Sequence, residues 1–138
     1  MQDSIKYILQ ILPQMLEGLK ITIKLFVVTL VLSLPLGLLI SLFKEAVSKR
    51  PTDNFVIRWI VKMPIRFIIN VYLWVFRGTP LLLQLFFFYF GLTIIKLPNG
   101  EAITLSMFTA ATISFVLNYA AYFAEIFRGG IIGVNKGQ

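Results

Sequence analysis

The sequence predicts an all-α, multi-pass membrane protein with three transmembrane helices. Three long apolar runs are separated by polar connectors, and 58% of the residues are hydrophobic. Only 14% are charged, against about 25% in ordinary soluble domains. Because backbone polar groups in lipid must be satisfied internally, helices are the expected spanning element. We therefore expect residues 1–138 to form a single transmembrane domain.

Missing residue types exclude several kinds of chemistry. The chain has no cysteine and no histidine, which removes disulfides, zinc sites, thiol nucleophiles and imidazole bases. We predict no catalytic residue, no cofactor and no metal. Gly129, Gly130 and Gly133 lack the strand and spacing of a phosphate-binding loop, so ATP should not bind here and these glycines should end a helix. The net charge of +7 reflects orientation in the bilayer better than nucleic-acid binding, because the basic residues flank apolar runs.

The first span is expected over residues 19–43, whose segment from Leu25 to Phe43 has no charge. Residues 3–18 are assigned as an interfacial N-terminal helix, although an extension of the first span fits equally well, because Pro13 is compatible with both. Small side chains recur on one face of the span, and we interpret them as a packing face rather than a polar pathway. They are Thr22, Thr29, Ser33, Gly37 and Ser41.

Residues 44–76 form a basic connector and elbow that we expect in the cytoplasm. Seven Lys or Arg residues fall between Lys44 and Arg77, against one in the turn of residues 96–101. The positive-inside rule then places the turn and the N-terminus outside and the C-terminus inside. The basic helix in the connector should contact anionic membrane lipid. We expect a short elbow before Arg77, because arginine at the bilayer centre is disfavoured by about 3 kcal/mol on insertion scales.

The second span is expected over residues 79–95, about 24 Å of helix at 1.5 Å per residue. Thr79 suits the N-cap position, and Pro80 suits the first helical position, where a missing N–H costs nothing. Gln84 lies inside the apolar run and needs a hydrogen-bond partner, so it should face protein or water.

A polar stripe marks the third span, residues 103–127. Ser114, Asn118, Tyr122 and Glu125 follow at spacings of four, four and three, which places them on one side of a helix. Such a stripe should not face lipid. Lining a solute path and bonding to a neighbouring helix explain it equally well. Glu125 is also placed to pair with Arg128 three residues on.

Two motifs carry a resemblance to a known family. The first comprises Arg77, Gly78, Thr79, Pro80 and Gln84, followed by a run of phenylalanines. The second comprises Tyr122, Glu125, Arg128, Gly129, Gly130, Gly137 and Gln138. Together they resemble the polar amino-acid permeases of bacterial ABC importers, the membrane subunits of the histidine, glutamine, glutamate and arginine type.

This resemblance implies the N-terminal part of a MetI-like permease domain in the bacterial cytoplasmic (inner) membrane. The chain would form the path for a polar amino acid, together with a second permease subunit, identical or not. A separate cytoplasmic ABC ATPase would hydrolyse ATP, and an extracytoplasmic solute-binding protein would deliver the solute. Residues 128–138 would begin the cytoplasmic coupling loop.

As a truncated permease, the chain is expected not to transport alone, and Gln84 and Asn118 are expected to lack partners within it. An alternative interpretation accepts the same helices but makes the protein a small three-span membrane scaffold or anchor without transport activity. Neither interpretation makes it an enzyme.

Overall fold

The computed structural model describes residues 2–49 and 62–134. Within these residues the elements in chain order are α1 (Gln2–Lys49), α2 (Met63–Gly78), α3 (Leu81–Tyr89), a 3-10 turn (Gly91–Ile94) and α4 (Met107–Gly133). No strand occurs among them, so the all-α class is confirmed. Residues 50–61, in the middle of the predicted basic connector, lie outside the described residues.

α1 is one continuous helix of 48 residues, about 72 Å long at 1.5 Å per residue. It contains Pro13 and Pro35, each of which removes one backbone hydrogen bond without ending the helix. Of the two alternatives for residues 3–18, the structure therefore has the helical extension and not a separate interfacial helix. At its other end α1 continues to Lys49, so the predicted connector begins as helix.

α1 and α4 pack closely and run parallel. A Cβ atom added at Gly37 would lie 2.6 Å from the Cβ of Phe123 and 3.0 Å from the carbonyl oxygen of Ala120. Nearer the start of both helices, the Lys24 amino group lies 5.1 Å from the centre of the Phe108 ring. Residues nearer the start of α1 contact residues nearer the start of α4, so the two helices point in the same direction. The chain between them must therefore return from the end of α1 towards the side where α1 begins.

The predicted packing face of α1 is largely buried. Ser33 and Ser41 are fully buried, and Thr29 is 6% exposed, which together with Gly37 supports the packing interpretation. Thr22, in contrast, is exposed. Along α1 from Thr22 to Ser33 the two helices leave a mainly apolar groove of about 340 Å³.

The chain turns sharply between α2 and α3, where the helical segments are bent by 106°. α2 runs through Arg77 to Gly78, so the break follows Arg77 and the predicted elbow before it is wrong. The reason is that the helical hydrogen bonds continue until Pro80, which has no N–H to donate.

Thr79 does not cap α3. Its backbone is extended, and it ends α2, where its hydroxyl and its N–H both donate to the Val75 carbonyl, at 2.8 and 3.0 Å. Pro80 occupies the N-cap position of α3. The prediction of a Thr79 N-cap followed by Pro80 at the first helical position is therefore wrong, because the threonine hydroxyl donates to a carbonyl of α2, the helix that precedes it.

α3 is shorter than the predicted second span. Its nine residues extend about 13.5 Å, whereas a hydrocarbon core is about 30 Å thick. Among residues 2–49 and 62–134, two helices are long and apolar enough to cross a membrane, Lys6–Ser48 within α1 and all of α4. α2 with residues 81–94 gives a third crossing if the bent pair counts as one.

α4 begins at Met107 and not at residue 103. Ser106 is its N-cap and accepts a hydrogen bond from the Thr109 N–H at 3.1 Å. The residues before it belong to the turn, since the Ile103 N–H donates to the Ile95 carbonyl at 3.3 Å. The serine cap thus fixes the start of α4 later than hydropathy predicts.

The far end of α4 also differs from prediction. The helix continues through Gly129 and Gly130 and ends at Gly133, so the expectation that glycines end it is wrong for the first two and confirmed for Gly133. Glycine costs about 1 kcal/mol in a helix interior, which lowers the stability of a long helix without requiring it to stop. Residues 128–133, predicted to begin the coupling loop, are therefore helical, and residues 135–138 lie outside the described part of the chain.

Candidate functional site

Two buried amides meet at the bend between α2 and α3, and one of them comes from α4. Gln84 is 7% exposed and Asn118 is 6% exposed, and Asn118 Nδ2 donates to Gln84 Oε1 at 3.2 Å. Asn118 Nδ2 also donates to the Phe76 carbonyl at 2.7 Å. We call these groups and their partners the elbow network.

Gln84 supplies the second set of donors in the elbow network. Its Nε2 lies 3.1 Å from the Phe76 carbonyl, 3.2 Å from the Thr79 carbonyl and 2.9 Å from the Thr79 hydroxyl. The prediction that Gln84 needs a partner is confirmed. The expectation that Gln84 and Asn118 lack partners within this chain is wrong, because the bend brings them together.

Glu125 is the centre of an ionic cluster at the other end of this polar face. Its carboxylate contacts Lys44 Nζ at 2.5 Å and Arg128 Nε at 3.0 Å, and Arg77 Nη1 lies at 4.0 Å. The Arg77 guanidinium also lies 5.8 Å from the centre of the Tyr122 ring. The predicted pair of Glu125 with Arg128 is confirmed, and the cluster joins α1, the end of α2 and α4.

The predicted polar stripe of α4 divides into two environments. Ser114 is fully buried and donates to the Ala110 carbonyl of its own helix at 2.7 Å. Asn118 belongs to the elbow network. Tyr122 is 42% exposed, and Glu125 belongs to the ionic cluster. Only the two residues nearest the end of α4 therefore retain access to the surroundings.

Contacts between distant elements were not predicted from the sequence, and two of them also involve residues outside the sequence motifs. Lys44 reaches Glu125 from α1, and the Tyr72 hydroxyl of α2 donates to the Leu117 carbonyl of α4 at 2.6 Å. A signal for the first was present, because Lys44 is the first charge after the uncharged core of the first span. No pattern singles out Tyr72, which lies in an amphipathic segment of the predicted connector.

The first sequence motif is brought together in space. Arg77 reaches the ionic cluster, Thr79 and Gln84 belong to the elbow network with Asn118, and Pro80 lies between them at the bend. Gly78 has open space around it, with no atom within 4 Å of an added Cβ.

The second motif is only partly brought together. Arg128 pairs with Glu125, but Gly129 and Gly130 stand in open space. Gly137 and Gln138 lie outside the described residues.

The elbow network contains neutral amides, and the ionic cluster contains one carboxylate and several cations. Such groups can hold helices together and can bind polar groups. In the part of the chain that the structure describes, no group of three or more acidic residues could hold a metal ion. The chain has a broken helix held by buried amides, beside helices long enough to span a bilayer. This combination is typical of membrane proteins whose non-helical backbone is buried in protein and not exposed to lipid.

Known proteins narrow this class. No protein-family model matches the chain. It is 39% identical over 127 residues to the arginine transport system permease protein ArtQ of Bacillus subtilis, covering 92% of this chain and 49% of ArtQ. It is 36% identical over 137 residues to the putative glutamine transport system permease protein GlnP of Rickettsia typhi, covering 97% of this chain and 54% of GlnP.

A solved structure agrees with these relatives. The crystal structure of an amino acid ABC transporter with histidines matches 95% of this chain and 52% of its own, with a TM-score of 0.73 and 32% sequence identity. The chain thus spans about half the length of the proteins it matches. Its curated homologues are amino-acid ABC transporter permeases, and the resemblance carried by the two motifs is confirmed.

These homologues also indicate which class of protein the chain resembles. They are permease proteins of transport systems, and this chain has helices apolar and long enough to span a membrane. The alternative of a scaffold or anchor without transport activity is not favoured.

Proposed function

We propose that this chain is part of a membrane-spanning permease subunit of an ATP-binding-cassette importer, where it contributes to the path for a polar amino acid. The observation that carries the proposal is 36–39% identity to amino-acid permeases over 92–97% of the chain. An extracytoplasmic solute-binding protein delivers the amino acid, and a separate cytoplasmic ATPase binds and hydrolyses ATP. A second permease subunit, identical or not, completes the membrane part.

The proposed topology is three crossings in a MetI-like arrangement, with the N-terminus outside and the C-terminus inside. Parallel packing of α1 and α4 supports it, because a chain that crosses twice in the same direction must return between the two crossings. The bent pair of α2 and α3 is the segment available for that return. The basic residues between Lys44 and Arg77 then lie on the cytoplasmic side.

The polar residues are proposed to divide between two roles. Gln84, Ser114 and Asn118 have their hydrogen-bonding hydrogens directed to protein acceptors, which favours helix contact. Tyr122 and Glu125 retain partial exposure, which favours a place along the solute path. Both lie near the end of α4 from which the proposed coupling loop continues towards the ATPase.

A chimera tests the transport role. Residues 1–134 would replace the matching stretch of Bacillus subtilis ArtQ in a strain that lacks ArtQ, and uptake of radiolabelled arginine and glutamine would be measured. We expect energy-dependent uptake above that of the empty strain, because the chimera has the full length of ArtQ. A Gly37→Leu chimera is the control, and it should fail because its side chain would meet Phe123 and the α4 backbone.

The scaffold alternative predicts a different result. A chimera that inserts and copurifies with the ATPase, yet takes up neither amino acid, would contradict the proposal. Insertion and copurification thus separate a failure of assembly from a failure of transport.

Thiol labelling tests the orientation independently. In this cysteine-free chain, single cysteines at Ser48 and Asn99 would be treated with a membrane-impermeant reagent in intact cells. Both positions are exposed, so access to the reagent depends on the side of the membrane. We expect labelling at Asn99 only, and labelling at Ser48 only would reverse the proposed topology.

A further inference from the structure

We infer that Asn118 is a positioning residue for the bend between α2 and α3, and that it replaces the backbone donor that Pro80 lacks. In this role α4 sets the angle of the bend, and the proline only makes the bend possible. The inference goes beyond the proposed transport role, since it concerns how the chain holds its own shape whatever the solute.

Pro80 leaves one carbonyl of α2 without its usual partner. In a continuous helix the Phe76 carbonyl would accept from the N–H of residue 80, and proline has no such hydrogen. Nothing in the hydrocarbon core of a membrane can replace this donor. A carbonyl oxygen has two lone pairs, and here Asn118 Nδ2 and Gln84 Nε2 approach it at 2.7 and 3.1 Å.

The neighbouring carbonyls need no help from another helix. The Val75 carbonyl accepts from the N–H and the hydroxyl of Thr79. The Thr79 carbonyl accepts from Gln84 Nε2. The Phe76 carbonyl alone among these three receives a donor from α4, and that bond from Asn118 is the shorter of its two.

Asn118 holds both arms of the bend at once. An asparagine amide has two hydrogens, and Nδ2 of Asn118 has one acceptor at the end of α2, the Phe76 carbonyl, and one on α3, Gln84 Oε1. With both hydrogens used and the side chain 6% exposed, the amide ties α2 and α3 to one point on α4. Rotation of either arm would break one of these bonds.

Spin-label distances test the inference directly. Cysteines at Trp74 on α2 and Phe87 on α3, which are 77% and 58% exposed, would be labelled, and their separation measured in lipid nanodiscs. The unmodified background should give one narrow distance. Asn118→Leu and Asn118→Asp keep the approximate size, but leucine has no donor and a carboxyl has at most one hydrogen for two acceptors, so each should lose the single narrow distance.

Controls separate positioning from general damage. Tyr119→Leu changes the next residue of α4, which is 44% exposed, and should keep the narrow distance. If both Asn118 variants insert and also keep it, the proline alone sets the bend and the inference is overturned. If Asn118→Leu does not insert, Asn118→Asp alone decides.

A second background tests the role assigned to Pro80. Pro80→Ala offers a backbone N–H with which the helix can continue, so adding Asn118→Leu should broaden the distance much less than it does beside proline. Equal broadening in both backgrounds would show that Asn118 does not stand in for the missing donor.

Discussion

The elbow network and the ionic cluster both include residues of α4, but they stabilise the fold in different ways. Asn118 and Glu125 are two turns apart on α4, about 10.5 Å at 1.5 Å per residue. The first is an amide, 6% exposed, that satisfies backbone groups. The second is a carboxylate whose side chain is 21% exposed and which meets three cations.

This difference follows from the cost of burying charge. A neutral amide can be buried in an apolar environment if its hydrogen bonds are made, whereas an ion loses far more hydration. At the bend, the buried backbone groups are therefore hydrogen-bonded by the neutral amides of Asn118 and Gln84. Charges are used where Lys44, Arg77 and Arg128 can still reach water. Removing a member of the elbow network should thus be costly and insensitive to salt, while the ionic cluster should be weaker and screened.

The largest effect is expected at the elbow network. Gln84→Leu removes donors to Phe76 and Thr79 and the acceptor of Asn118, and a buried group left unsatisfied typically costs about 1–3 kcal/mol. We expect a loss of about 3 kcal/mol in the free energy of unfolding, unchanged by salt. Detergent-induced unfolding in mixed micelles would measure it, with Leu83→Ala, at a position that is 57% exposed, as control. A loss no greater than that of the control would contradict the role of the network.

An intermediate effect is expected at Glu125. Glu125→Gln leaves Lys44 and Arg128 without their carboxylate, and partly exposed pairs contribute about 1 kcal/mol or less. The wild-type protein should lose this contribution as salt rises, and the variant should not. The control is Glu101→Gln, an exposed carboxylate in the turn. If Glu125→Gln lowered the free energy of unfolding as much as Gln84→Leu does, independently of salt, the proposed difference between the ionic cluster and the elbow network would be contradicted.

The smallest effect is expected at Arg77. Its side chain is 44% exposed and its nearest nitrogen lies 4.0 Å from Glu125, so the pair is weak and screened. Arg77→Gln should change the free energy of unfolding by about 0.5 kcal/mol or less. An effect larger than that of Glu125→Gln would mean that Arg77, and not Lys44, is the main partner of the carboxylate.

Local patterns predict much of the fold but not the contacts between distant elements. Helical class follows from hydropathy, and the Glu125–Arg128 pair follows from a spacing of three. The contacts of Lys44 with Glu125 and of Asn118 with Phe76 join residues 81 and 42 positions apart. The first depends on the packing of α1 against α4 and the second on the packing of α2 against α4, and no local pattern contains either.

The elbow shows why local rules failed where two of them compete. Thr79 can cap the helix that follows or bond to the helix that precedes it, and the sequence does not say which. Placing Arg77 inside a straight helix carries a penalty, which favoured a break before it. The 106° bend comes after it and leaves Arg77 at the end of α2 beside Glu125, so that penalty does not apply.

The close approach at Gly37 has a mechanical consequence. It lies between the groove that begins at Thr22 and the ion pair at Lys44, and substitution there would force the helices apart. Along α1 the far end of the groove, at Thr22, lies about 22.5 Å from this contact, and Lys44 lies about 10.5 Å from it on the other side. If α1 tilts as a rigid rod about the Gly37 contact, Thr22 at the far end of the groove moves about twice as far as Lys44. A movement of Lys44 too small to separate it from Glu125 would then correspond to a movement about twice as large at Thr22.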